Sequence, residues 1–139
     1  MTRTPPGKTV SLAVAVLTAL PLALASCSQS AQARTCDQLD GVRSAVENLR
    51  NTSLSENGLV ALDNGVAQVK SELKVLRQNL SAQLQPYANA VATSVDTLQE
   101  SVTAAKANPT NTALQTVGTD LRQVRTNVTD LRNSLSGIC

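Results

Sequence analysis

The sequence of 139 residues holds no His, no Trp and no Phe, and only one Tyr and one Met. Without His it lacks the side chain that most often serves as a general base near neutral pH and as a metal ligand. Without aromatics it lacks the platforms on which nucleobases and sugars stack. Charged residues make up 16% of the chain, too few for a nucleic-acid module or a charge-driven disordered segment. These absences point away from an enzyme, from a protein built around a cofactor or metal, and from a nucleic-acid binder. The length admits one small domain.

What is present is organised from the N-terminus. Arg3 and Lys8 form a short basic region, and an apolar stretch of about 16 residues runs from Val10 to Ala25, broken by Ser11, Thr18 and Pro21. A membrane span needs ~20 residues, so residues 1–26 read as a secretory signal. The stretch ends in Leu24-Ala25-Ser26-Cys27, which resembles the lipobox of bacterial lipoproteins: an aliphatic residue, two small residues, then Cys. The resemblance covers this segment alone. It implies cleavage before Cys27, lipid on the Cys27 thiol and amine, and attachment to the outer face of the cell membrane. Two or three acyl chains hold stably where a single one is marginal, at ~0.8 kcal/mol per buried CH₂. The competing reading is ordinary cleavage after Ala31-Gln32-Ala33, which would release a soluble secreted protein; an uncleaved anchor is a third. Removal of Arg3 and Lys8 turns 12 basic and 10 acidic side chains into ten of each, leaving a mature body with no net charge to draw a polyanion.

With Cys27 assigned to lipid, Cys36 and Cys139 remain. Export places them in an oxidising compartment, and two thiols allow one intramolecular pairing. A Cys36–Cys139 disulfide would close a loop of about 100 residues, for which the chain-entropy model gives ~4.7 kcal/mol. Two Cys without His make a poor metal site, and a Cys nucleophile would lack its base. Residues 27–35, small and polar, read as a flexible tether between lipid and body.

From residue 36 to 139 the chain is patterned for helices. Apolar residues recur at alternating spacings of three and four: Leu39, Val42, Val46, Leu49; then Leu59 through Leu80; then Ala88 through Ala105; then Leu114 through Leu135 and Ile138. These are the a and d positions of helices packed in heptads. Capping-box patterns at Thr35–Gln38 and Ser53–Glu56 mark two helix starts, Asn108-Pro109 separates the third run from the fourth, and Gly137 marks the last helix end. The expected helices cover 36–50, 54–84, 86–107 and 110–136. Asn64-Gly65 carries a turn signature, but the seam keeps its phase across it and the helix is kept. The fold class is all-α, an antiparallel helical bundle or coiled coil of three to four helices closed by a terminal disulfide.

Pro86 leaves two architectures open. At the start of a new helix it gives four antiparallel helices; inside a continuous helix over 54–107 it gives one long kinked rod with the outer helices folded onto it. The unequal helix lengths, the narrow apolar stripe and the absence of Gly near Pro86 lean toward the kinked rod. Both bring Cys36 to Cys139.

Other residue groupings carry little chemistry. Asp37 and Asp40 read as complements to a helix N-terminus, and Glu47 with Arg50 as a surface pair. Arg122, Arg125 and Arg132 share one side of the last helix and read as a solvated flank, or as contacts to lipid phosphates or an anionic wall polymer. Tyr87 reads as filler for the bend at Pro86. Three glycosylation sequons, at Asn51, Asn79 and Asn127, read as chance matches, since the lipobox resemblance implies a bacterial chain, and Gly7-Lys8-Thr9 has no preceding strand to make a phosphate loop. The expectation is a non-catalytic lipoprotein without cofactor, acting as a helical spacer or interaction module of the envelope. Its expected partners are the membrane through Cys27 and another envelope protein or a second copy. The alternative is a carrier of a small apolar ligand or lipid.

Overall fold

Heptad spacing requires each helix to hide one apolar stripe, and four such helices satisfy one another by closing a ring. A computed structural model of the protein describes residues 23–139, with side chains from residue 30. Arg3, Lys8 and the apolar stretch from Val10 to Leu22 lie outside the described residues. Four helices follow in order: α1 Ala23–Asn51, α2 Leu59–Asn79, α3 Gln85–Ala107 and α4 Asn111–Ser134, with a single 3₁₀ turn at Glu56–Gly58 before α2. Each helix lies beside its sequence neighbours, and α4 returns beside α1. Contacts run in opposite directions along each pair. Gln38 midway along α1 accepts a hydrogen bond from Asn79 at the end of α2 (3.1 Å), whereas Leu49 late in α1 lies against Gly65 near the start of α2. The fold is an antiparallel up-and-down four-helix bundle.

The seams are where the heptads put them. Leu39, Val42, Val46 and Leu49, the stripe from Leu59 to Leu80, Ala88 to Ala105, and Val117 to Leu135 form one continuous buried core. Two ends differ: Leu114 is only partly buried against this core, and Ile138 is exposed. Ala45 and Ser94 widen the stripe beyond a and d; buried Ser94 donates its hydroxyl to the carbonyl of Val91 (2.8 Å) and so leaves no unpaired polar group.

The kinked rod does not form. α2 ends at Asn79 and α3 begins at Gln85, with Pro86 in its first turn. Inside a continuous helix Pro86 would remove one hydrogen bond and press on the preceding turn, at ~3 kcal/mol. The turn manages without glycine because a side chain does the capping. Leu80 adopts an extended conformation, and the Gln85 amide donates to the carbonyls of Arg77 (2.8 Å) and Leu80 (3.3 Å), two of the groups that a helix end leaves unpaired. Leu80 and Leu84 both insert into the core and brace the turn from inside. The argument from helix lengths fails for the same reason. With its ends given over to turns, α2 has 21 residues beside 23 in α3 and 24 in α4, or ~32–36 Å at 1.5 Å per residue.

Other helix starts also differ from expectation. α1 is helical well upstream of residue 36, since no Pro or Gly interrupts residues 22–40. The tether segment is thus part of α1. Thr35 is interior to the helix and its hydroxyl donates back to the Ala31 carbonyl (3.1 Å) instead of capping. Residues 30–34 are nevertheless fully outside the core, and Thr35 is the first buried side chain described. The second capping box forms no side-chain cap; Ser53 bonds Ser55 and the chain passes through the 3₁₀ turn. The cap that does form is Thr110, which accepts from the Ala113 amide (3.1 Å) at the start of α4.

Asn64-Gly65 is helical, and Gly65 has a purpose there. A Cβ at this position would lie 2.5 Å from Leu49 Cδ2, a fully buried side chain, so the glycine sets how closely α1 and α2 approach. Gly118 on α4 would place its Cβ 3.2 Å from the terminal carbon of half-exposed Leu54. Gly65→Ala is therefore expected to destabilise by about 1–3 kcal/mol through overpacking. Gly118→Ala, where Leu54 has room to yield, is expected to stabilise by up to about 1 kcal/mol through helix propensity. Urea unfolding midpoints of the two variants check this opposition of sign.

Candidate functional site

The chemistry-bearing residues collect where α1 and α4 meet. Cys36 on α1 and Cys139 beyond the end of α4 are joined by a disulfide, with Cα atoms 5.7 Å apart and a sequence separation of 103. In an antiparallel ring the point where α1 enters the bundle, at Thr35 and Cys36, and the end of the last helix share a pole, so the pairing follows from the topology. After Ser134 the chain coils through a last turn, in which the amides of Ile138 and Cys139 both donate to the Leu135 carbonyl (2.9 and 2.8 Å). Leu135 is fully buried and anchors this turn. A shallow furrow beside the disulfide is lined by Leu39, Asp40, Arg43 and Arg132. Leu24–Cys27 fall on the first turns of α1; their side chains, including the Cys27 thiol, lie outside the described ones.

Below this pole the α1/α4 seam is rich in arginine. Arg43 from α1 and Arg125 and Arg132 from α4 surround one gap between the helices, over a floor of Val46 and Val128. Arg122 stands apart, toward the opposite pole, in a furrow with Leu54 and Gly118; its guanidinium donates to the Thr119 hydroxyl (3.1 Å). Thus two of the three arginines expected on one side of α4 come together. Arg43 joins them and was not singled out from sequence. The signal that finds it is its place between the seam residues Val42 and Val46, on the flank that an antiparallel α4 must face.

The carboxylates are placed plainly. Asp40 does not sit at a helix start; it pairs with Arg43 at 3.0 Å, and Asp37 is likewise interior to α1 and exposed. Glu47 pairs with Arg50 at 3.1 Å, as the spacing suggested. Two ion pairs cross from α2 to α3, Lys70 with Asp96 (2.8 Å) and Lys106 with Asp63 (2.6 Å). Asp63 also accepts from the Gln99 amide (2.6 Å). The hydrogen bond from Lys106 foremost, and that from Gln99 next, hold its carboxyl below the usual aspartate range against a small opposing effect of burial.

Tyr87 has no bend to fill. It is 44% exposed and lines an open furrow between α3 and α4 with Pro86, Ala90, Asn127 and Asp130. Asn127 bridges this furrow by donating to the Ala90 carbonyl (3.1 Å), and Ser101 donates to Asp120 further along. Among the described residues no group of three or more His, Cys, Asp and Glu is placed to hold a metal ion, and no helix is long and apolar enough to cross a membrane. Comparison of the chain with protein-family models, curated proteins and solved structures found no match.

Replacing both Cys36 and Cys139 by Ser is expected to lower the unfolding free energy by about 4.7 kcal/mol, the loop-closure value for ~100 residues, without loss of helix content by circular dichroism. The Asp63 cluster sets a pH dependence. A carboxyl whose folded-state value is lowered binds its proton more readily when unfolded, so its contribution is present above the ordinary aspartate value of about 3.9 and is lost as pH falls through the lower folded value. Asp63→Asn is expected to flatten the fall of melting temperature as pH drops below about 4; an acid slope identical to that of the parent protein would show that the cluster does not act.

Proposed function

We propose that the chain is an exported, non-catalytic lipoprotein of the bacterial cell envelope, held to the membrane by lipid on Cys27. Its four-helix body acts as a spacer or as a docking surface for another envelope protein. The observation that carries this reading is Leu24-Ala25-Ser26-Cys27 at the close of an apolar stretch preceded by Arg3 and Lys8. Two features of the body support it. The disulfide uses Cys36 and Cys139 and leaves Cys27 as the cysteine outside the crosslink; such bonds persist in oxidising compartments beyond the cytoplasm. The side chains of residues 30–34 are exposed, and a polar helical segment that buries little apolar surface is marginal in water, which suits a yielding connection between lipid and body.

The spacer is favoured over a carrier of apolar ligands by the distribution of apolar side chains. They meet in one continuous core, and the furrows described above are surface features with polar side chains such as Asn127, Asp130 and Arg132 along their walls.

Expression of the full chain in a bacterial host that processes lipoproteins tests the reading. Intact mass and membrane fractionation should show a chain beginning at Cys27 with acyl groups attached, and Cys27→Ala should shift the protein out of the membrane fraction. A wild-type mature chain beginning at Arg34 without lipid would establish the soluble secreted form instead.

A further inference from the structure

The gap on the α1/α4 seam has the charge and size of an oxyanion cradle. Its volume is about 140 Å³, a few water volumes at ~30 Å³ each. Three arginines line it, Arg43, Arg125 and Arg132. The one carboxylate on its wall, Glu47, is already bonded to Arg50, and the Asp40 carboxylate is bonded to Arg43. Among the described residues Arg125 and Arg132 form no ion pair. The local balance is therefore four arginines against two carboxylates, in a body whose basic and acidic side chains are equal in number overall. The floor is apolar, with Val46 and Val128 nearly fully buried, and an apolar floor strengthens charge-assisted hydrogen bonds above it. Thr129, the remaining wall residue, donates its hydroxyl to the Arg125 carbonyl (2.9 Å) and does not occupy the gap. Planar guanidinium forks match the paired oxygens of a phosphate better than any other side chain does.

We propose that this cleft binds a phosphate group, with Arg125 and Arg132 as its principal ligands and Arg43 completing the cradle from α1. The chemistry is shared by two sources, a phospholipid headgroup and a soluble phosphate. The site rests on the seam between α1 and α4 and does not depend on the lipid anchor. The two helices that form it are those joined by the disulfide, so the crosslink holds the cradle's two walls at a fixed spacing.

The test uses the disulfide-bonded protein in two arms. In the first, inorganic phosphate is titrated at constant ionic strength while the side-chain Nε–Hε signals of arginine are followed by NMR. In the second, the protein is sedimented with phosphatidylcholine vesicles with and without phosphatidylglycerol. Both arms compare the parent with the double variant Arg125→Gln, Arg132→Gln and with a charge-matched control, Lys74→Gln, Arg77→Gln, placed on the exposed side of α2. Thermal unfolding confirms that each variant is folded. Saturable phosphate binding weakened at least tenfold in the double variant and retained in the control supports a soluble phosphate ligand. Vesicle binding that requires phosphatidylglycerol and shows the same pattern supports a headgroup. Binding in neither arm overturns the proposal, as does binding reduced equally by the control, since that marks a general response to charge.

Discussion

Closing α4 against α1 is the constraint on which the rest of this bundle depends. The other three neighbouring pairs are hairpins, joined by the short connections at 52–58, 80–84 and 108–110, and their contacts are local in sequence. The α4/α1 pair joins the two ends of the body, and bringing distant segments together carries the largest chain-entropy cost. The Cys36–Cys139 bond removes most of that cost from the folding balance by restricting the unfolded chain. At the far end of the same seam no covalent bond is needed, because Leu54 from the α1–α2 connection lies over Gly118 of α4. The ring is stapled at one pole and held by apolar contact at the other. The C-terminus is tied to the pole from which the upstream part of α1 projects, so a lipid on Cys27 would place the staple on the membrane side of the body.

The seam also organises charge. The described body carries ten basic and ten acidic side chains, yet α4 is two-sided. Asp120 and Asn127 on one flank engage α3 through Ser101 and the Ala90 carbonyl, whereas Arg125 and Arg132 on the other face α1. The ion pairs between α2 and α3 are partly exposed, and such pairs contribute ~0–1 kcal/mol each.

Much of the core was legible because burial in a bundle is a local property of spacing. Leu62, Val95 or Val124 can be assigned to the inside from their neighbours three and four residues away, whatever lies opposite. The cysteine pairing was legible because the antiparallel topology expected from the heptads brings Cys36 and Cys139 to one pole. Helix ends were less legible. Thr35 and Ser53 have the residues of caps, but the helix runs through the first and a 3₁₀ turn follows the second. The turn before Pro86 was missed because its capping group is a side chain, Gln85, reaching back across five and eight residues; no Gly marks it. Arg43 was missed because its importance comes from what α4 places opposite it.

The sequence by itself determined that this protein is all-α, which side chains form its seams, that Cys36 and Cys139 are its staple, and that Cys27 stands apart in a lipobox-like context. Period, composition and elimination suffice for these because each concerns one segment or one residue type. Only the tertiary structure decided that Pro86 begins a helix instead of bending one, that Gly65 sets the approach of α1 to α2, and that Arg43, Arg125 and Arg132 surround a common gap. Each of these is a relation between segments distant in the chain, and the energy that settles it, from capped carbonyls, close contact or converging charge, exists only once the helices have been brought together.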